Sequence, residues 1–276
     1  MAAPLLYASA LDQILNAFTM SKLLGLPVLA SEHGQQVDNL IIYVHWLMIV
    51  LFVGWLGYFA YTLFRFHRSR SPKADYFGVR NHASNYIEGA VALVEGILLV
   101  AVAVPFWARA VEKFPKESES TRVQVVAQQF AWNVRYPGKD GEFGRQEMQF
   151  VTADNPFGVD PKDEHGKDDI QTLNEIHVPL VKGPDGNNKP VIVYISSKDV
   201  IHSFKVIALR ITQDAIPGMR IPIWFRPTQE GRYQINCAQL CGNGHSNMAQ
   251  GFLIVESQAA FDKWLASKVG AATSFE

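Results

Sequence analysis

Cys237, Cys241, His245 and Met248 fall on one short run, Cys-Ala-Gln-Leu-Cys-Gly-Asn-Gly-His-Ser-Asn-Met. Two thiolates, an imidazole and a thioether make a soft donor set, which selects copper over magnesium or calcium. A single-copper blue site uses one Cys, two His and an axial Met. A second cysteine four residues from the first lets two thiolates bridge two metals, and each metal then needs a terminal imidazole. His245 supplies one. The best candidate for the other is His202, in Asp199-Val-Ile-His-Ser-Phe204, at the expected start of a strand. His33, His45, His67 and His82 belong to an apolar half of the chain, His165 to an acidic stretch, and His177 is the weaker competitor. Two blander readings compete. A Cys237–Cys241 disulfide leaves His245 and Met248 without a role. A zinc site from Cys237, Cys241, His245 and His202 suits tetrahedral coordination but leaves Met248 idle.

The elements that must position these donors divide the chain unevenly. Of the 276 residues 48% are hydrophobic, and the apolar ones crowd into the first 110. Asn39 to Phe64 holds no charged residue and Ile87 to Trp107 is nearly as apolar; each is long enough to cross a bilayer as a helix. Between them lie Arg65, Arg68, Arg70, Lys73 and Arg80, a cluster that marks the cytoplasmic side. A hairpin with its loop inside is expected, with both termini and everything after about residue 110 on the outer side of a respiratory membrane, a bacterial inner membrane. Glu88 and Glu95 interrupt the second span. A carboxylate at mid-bilayer costs at least ~2.5 kcal/mol, so it faces water or a partner. Glu88 is near enough to the loop to reach headgroups; Glu95 is not, and a polar contact with another subunit is expected there. Segment 1–38 reads as a short signal or an amphipathic lead-in, 39–109 as the hairpin, 110–270 as the outer domain and 271–276 as a tail. A formal net charge of −1 excludes the basic surface that nucleic-acid binding needs, and two cysteines are too few for a disulfide scaffold.

From Val123 onward, short β-type runs alternate with turn residues: 123–136, 191–195, 203–207, 221–225, 233–235 and 251–255. This spacing predicts an all-β Greek-key sandwich or barrel, followed by a short helix capped at Ser257 with Phe261, Trp264 and Leu265 on one stripe. The first run is a single long strand or a bent pair. Residues 154–175 are rich in Asp and Glu and read either as a solvated loop or as a docking surface for a basic protein.

The Cys-x3-Cys-x3-His-x2-Met run, Asp199-Val-Ile-His-Ser, Asp214-Ala-Ile-Pro-Gly218 and the two-helix hairpin, in this order, resemble cytochrome c oxidase subunit II. That resemblance implies a cupredoxin-like outer domain with a dinuclear copper centre (CuA). Cys237 and Cys241 would bridge, His202 and His245 would be terminal ligands, Met248 a weak ligand and the backbone carbonyl of Gln239 another. It also implies that reduced cytochrome c docks on the acidic outer face, and that electrons pass to haem in the catalytic subunit I, where oxygen is reduced and protons are pumped. Other oxidase subunits and membrane lipid complete the implied partners.

The sequence departs from the family pattern in two places. Position 239 is usually Glu, which also helps hold a magnesium ion at the interface with the catalytic subunit; Gln239 removes that anionic ligand. The family's electron-receiving tryptophan is replaced in Gln129-Phe-Ala-Trp132 by Phe130, so Phe130 and Trp132 are both candidates. Glu88 matches the glutamate that opens one proton path. Glu95 has no counterpart. A copper-delivery protein, or another dinuclear-copper electron-transfer protein outside an oxidase, is the alternative function. A nitric or nitrous oxide reductase domain is disfavoured by the hairpin and Glu88, and a metal-free quinol oxidase subunit by the intact ligands.

Overall fold

The computed structural model describes residues 20–74, 76–78 and 81–268. Arg80, the first half of the lead segment and the 271–276 tail lie outside them. Two units are present, Lys113 onward together with Pro27–Gln35, and Gln36–Glu112 together with the residues before Pro27.

The helical unit contains α1 (Gly34–Arg65) and α2 (Ala83–Glu112), both long and apolar enough to cross a membrane. α1 begins before the apolar run because Gln35, Gln36 and Asp38 continue the helix without adding hydrophobicity. Phe52, Trp55, Phe59, Leu93, Val100 and Trp107 are more than half exposed, an arrangement stable only in lipid or against other chains. Arg70 closes the end of α1, its guanidinium lying 3.3 Å over the Phe64 ring. Within α2, Leu98–Ala103 winds as a π turn.

The β-unit is a sandwich of two five-stranded sheets. One runs β3-β2-β1-β5-β8 and the other β4-β10-β9-β6-β7. Their strands are β1 (Thr121–Gln128), β2 (Ala131–Tyr136), β3 (Ile170–Leu173), β4 (Glu175–Leu180), β5 (Val191–Ser197), β6 (His202–Val206), β7 (Ile211–Ala215), β8 (Ile221–Phe225), β9 (Gly231–Cys237) and β10 (Gly251–Ser257). The run at 123–136 is a hairpin, with Gln128 opposite Ala131 across a two-residue turn. Val123, Val125, Ala127, Trp132, Val193, Phe204, Ile235 and Leu253 meet between the sheets as one fully buried core. β1 is buried almost without alternation. Its second face is covered by the 138–169 loop, where Phe157 and Val159 pack on Val126 and Gln146 accepts from Gln124 at 2.8 Å. Two parallel pairings, β1 with β5 and β10 with β4, make each sheet mixed. The closing helix α3 (Gln258–Lys268) starts where Ser257 Oγ accepts from Ala260 N, and lays Phe261 and Trp264 against Tyr136.

Pro27–Gln35 belongs to this unit as an arm. Ala30 N donates to Ala208 O at 2.8 Å, Thr228 N to Ala30 O at 2.9 Å, and Glu32 N to Arg226 O at 3.0 Å. The Ser31 hydroxyl is buried on Leu209 O at 2.6 Å.

Candidate metal centre

Three segments deliver the donors. β9 ends at Cys237, the loop after it carries Cys241, and the following helical turn His245–Gln250 carries His245 and Met248. His202 opens β6, which pairs with β9 so that Phe204 stands opposite Cys237. That register places His202 beside the cysteines although it lies 35 residues away in sequence.

Cys237 Sγ lies 3.9 Å from Cys241 Sγ and 3.9 Å from His202 Nδ1, and Cys241 Sγ lies 3.3 Å from His245 Nδ1. One imidazole therefore stands beside each thiol. Both cysteines are free. Two sulfurs 3.9 Å apart can share a metal, because metal–thiolate bonds of about 2.3 Å span up to about 4.6 Å. The backbone O of Gln239 is 3.0 Å from Cys237 Sγ, whereas its side chain points to solvent. Met248 is fully buried in the core cluster that also holds Cys241. Among the described residues, His202, Cys237 and Cys241 are the one group of three or more Cys, His, Asp or Glu side chains whose donor atoms gather within 4.8 Å. Soft sulfur and imidazole donors in this arrangement fit copper.

The surrounding contacts fix these ligands. Asp199 Oδ1 accepts from His202 Nε2 at 2.9 Å, which turns Nδ1 toward the thiols. Asp199 Oδ2 accepts from Gln129 N at 2.7 Å, and Gln129 Nε2 donates to Cys241 O at 2.7 Å. Burial works against the Asp199 carboxylate, but these donors together hold its pKa below the ordinary value. Burial, and then the neighbouring Cys237, push the Cys241 thiol up to about 11. Metal binding at neutral pH therefore releases protons.

The β1–β2 turn closes over the ligand loop. Gly242 has φ +134°, and a Cβ there would come within 3.1 Å of the Phe130 ring. At Gly244 the approach would be 2.3 Å. Both positions need glycine because Phe130, half-buried, rests on the ligand backbone. Trp132 is fully buried beneath it, edge-on to Phe204 at 5.4 Å and to His202 at 6.2 Å, with Nε1 donating to Met248 O at 2.8 Å. His177 is elsewhere, stacked on Trp264 and held by Glu256 at 2.7 Å. It takes no part in the centre. Sequence reasoning missed Asp199 and Gln129. Only the adjacency of Asp199 to His202 within one short motif hinted at the first.

Residues 122–257 match the family described as cytochrome c oxidase subunit II, periplasmic domain. The alternative cytochrome c oxidase subunit 2 of Bradyrhizobium diazoefficiens is 31% identical over 230 residues, covering 83% of this chain and 79% of that one. The chain belongs to the cytochrome c oxidase subunit II family. The probable cytochrome c oxidase subunit 2 of Rickettsia bellii is 32% identical over 222 residues, 80% of this chain and 74% of the relative. Among solved structures, the periplasmic domain of subunit II of cytochrome oxidase from Bradyrhizobium japonicum aligns with 26% identity, over 56% of this chain and 95% of that one, at a TM-score of 0.39. As a cytochrome c oxidase subunit II, the chain is the membrane-anchored, electron-accepting part of an oxidoreductase.

Proposed function

We propose that this subunit II takes electrons from cytochrome c into a dinuclear copper centre and passes them to haem in the catalytic subunit, where oxygen is reduced and protons are pumped. The observation that carries this reading is the gathering of two thiols and two imidazoles from two strands and a loop, with sulfur and nitrogen atoms 3.3–3.9 Å apart. Cys237, Cys241, His202 and His245 would hold the coppers, with the Gln239 carbonyl and Met248 as weaker ligands. When bound, two bridged coppers supply a single shared electron vacancy, so adding one electron changes each coordination shell little. The chain supports this by rigidity. Asp199 locks His202, and fully buried Met248 backs the ligand turn from the core side.

Phe130 is the aromatic ring between solvent and the ligand loop, which favours it over the fully buried Trp132 as the first point of electron arrival. Leu240, 81% exposed, together with exposed Met219 and Val200, offers an apolar contact for a docked donor. Lys198 Nζ donates to Thr152 O at 2.8 Å, bringing exposed Asp154 of the acidic stretch toward the His202 turn. The basic residues of 65–73 support a cytoplasmic hairpin loop and an outer β-unit. Gln239 has a neutral, solvent-facing side chain, so we assign no magnesium ligand to it.

Metal content and electron paramagnetic resonance of the copper-loaded chain test this. Two coppers sharing one unpaired electron are expected; one copper, or zinc alone, would refute the assignment. Cys237→Ser should abolish the shared signal, whereas Gln239→Glu should keep it. Purification with a haem-bearing partner separates an oxidase subunit from a copper-delivery protein.

A further inference from the structure

Glu95 stands two residues from Ile97, the centre of the apolar run 87–107, which places it about 3 Å from mid-span along the axis. Glu88 is seven residues nearer the loop, about 10.5 Å along the helix and about 20° around it. The two carboxyls therefore share one stripe. Both are exposed, and neither has a hydrogen-bond or ion-pair partner among the described residues. Val94 and Leu98 line a crevice with Tyr43, Trp46 and Val50 of α1, about 60–120° around α2 from the carboxyls. Gly89 and Gly96 flank the carboxyls, and a Cβ at either would meet nothing within 4 Å. The two glycines lie about 100° around the helix from the two carboxyls, so a neighbouring helix can approach closely beside the carboxyl stripe. Just beyond Glu95 the helix widens into the π turn Leu98–Ala103, an irregularity that frequently occurs at functional sites.

A carboxyl at mid-span must find hydrogen-bond donors, and the described residues of this chain offer none. We propose that Glu95 faces a helix of the oxidase's catalytic subunit and, in line with Glu88, carries protons toward the reaction in that subunit. The step is proton transfer alone. The O–H bond broken at the Glu88 carboxyl is replaced, through intervening water, by one formed at the Glu95 carboxylate. This rests on the chain acting as an oxidase subunit with Glu88 on a proton route.

The test uses the complete oxidase and two substitutions. Glu95→Gln keeps hydrogen bonding but cannot titrate; Glu95→Asp keeps the titrating group. Proton uptake measured after a single electron input should slow by at least about tenfold in Glu95→Gln and stay near wild type in Glu95→Asp. Reduction of the copper centre should be equally fast in both. Equal proton uptake in Glu95→Gln and wild type, or equal slowing in both variants, would overturn the inference by showing no role or a structural one. Wild-type enzyme needs no variant to fold, and its infrared difference spectrum on reduction should contain two carboxyl bands; a single band, lost in Glu88→Gln, would also overturn it. If instead Glu88→Gln leaves proton uptake intact while Glu95→Gln slows it, the route stands on Glu95 and the reading of Glu88 fails.

Discussion

Two loops of the β-unit are dense in side chains that could do chemistry, and they use them in opposite ways. In 237–248 the donors come from separate elements and point at one another: Cys237 and His202 at 3.9 Å, Cys241 and His245 at 3.3 Å. None of these contacts is a strong mutual hydrogen bond, so the atoms remain available to a metal. In 138–169 four carboxylates are engaged by their own surroundings. Asp163 accepts from Arg145 N and His165 N, Asp160 from Lys162 N and Arg145, Asp140 from Glu142 N and His165, and Asp169 from Gly144 N and Arg135. The acidic loop is a scaffold that covers the second face of β1. Local density of ionisable residues does not make a site; convergence of unsatisfied donors from distant segments does.

The largest test of that contrast is Asp169. Its ion pair with Arg135 is 3.0 Å long and both side chains are wholly buried. Burial is the dominant influence on each partner, raising Asp169 to about 6 and lowering Arg135 to about 10. Asp169→Ala should therefore cost about 3–5 kcal/mol in denaturant unfolding, because the guanidinium is left buried and alone. Copper bound per folded chain should not change. Arg135→Met combined with Asp169→Leu should recover most of the loss. The pH dependence has a defined sign. An acid whose folded pKa is raised contributes stability below the ordinary 3.8, and that contribution is lost as pH climbs through about 6. Copper loss in the folded Asp169→Ala chain would erase the distinction between the loops.

Asp199→Asn probes the opposite loop with a smaller effect. Losing the carboxylate behind His202 should weaken copper retention by about 10–100-fold in a chelator competition, with the unfolding midpoint of the metal-free chain little moved. An unchanged copper affinity would mean that β6 alone positions the imidazole. The smallest effect is expected at His165, exposed on the acidic loop. Its hydrogen bond to Asp140 raises its pKa, so its support for the fold is full below the ordinary 6.5 and disappears as pH rises through the higher folded value. His165→Ala should lower the melting temperature slightly near pH 6 and not at all well above it. A pH-independent loss would point to packing rather than charge.

The candidate copper ligands were legible in sequence because four of them sit on one run, and His202 was reached by setting aside histidines in apolar or acidic surroundings. The spans were legible because lipid demands unbroken apolar helix. Other features had no local signal. β3 (Ile-Gln-Thr-Leu) and β7 (Ile-Thr-Gln-Asp-Ala) are short and half polar, and β4 contains Pro179. The turn at Gln129-Phe130 holds no glycine, proline, asparagine or aspartate. It is imposed by Asp199 and the two loop glycines, which no local pattern reveals. Asp160, Asp163 and Asp169 of the acidic stretch are occupied by partners that only the folded loop brings near, so composition alone suggested more free charge than the surface offers.

The arm at Pro27–Gln35 carries a consequence for how the molecule is made. Ser31 bonds to a carbonyl 178 residues further along. At about 5–20 residues per second of synthesis, its slot is completed roughly 10–35 s after the arm emerges. During that interval two membrane helices are laid down between the arm and its partners. The β-unit is therefore assembled from segments made before and after the two helices, and its first-made piece must wait for its partners.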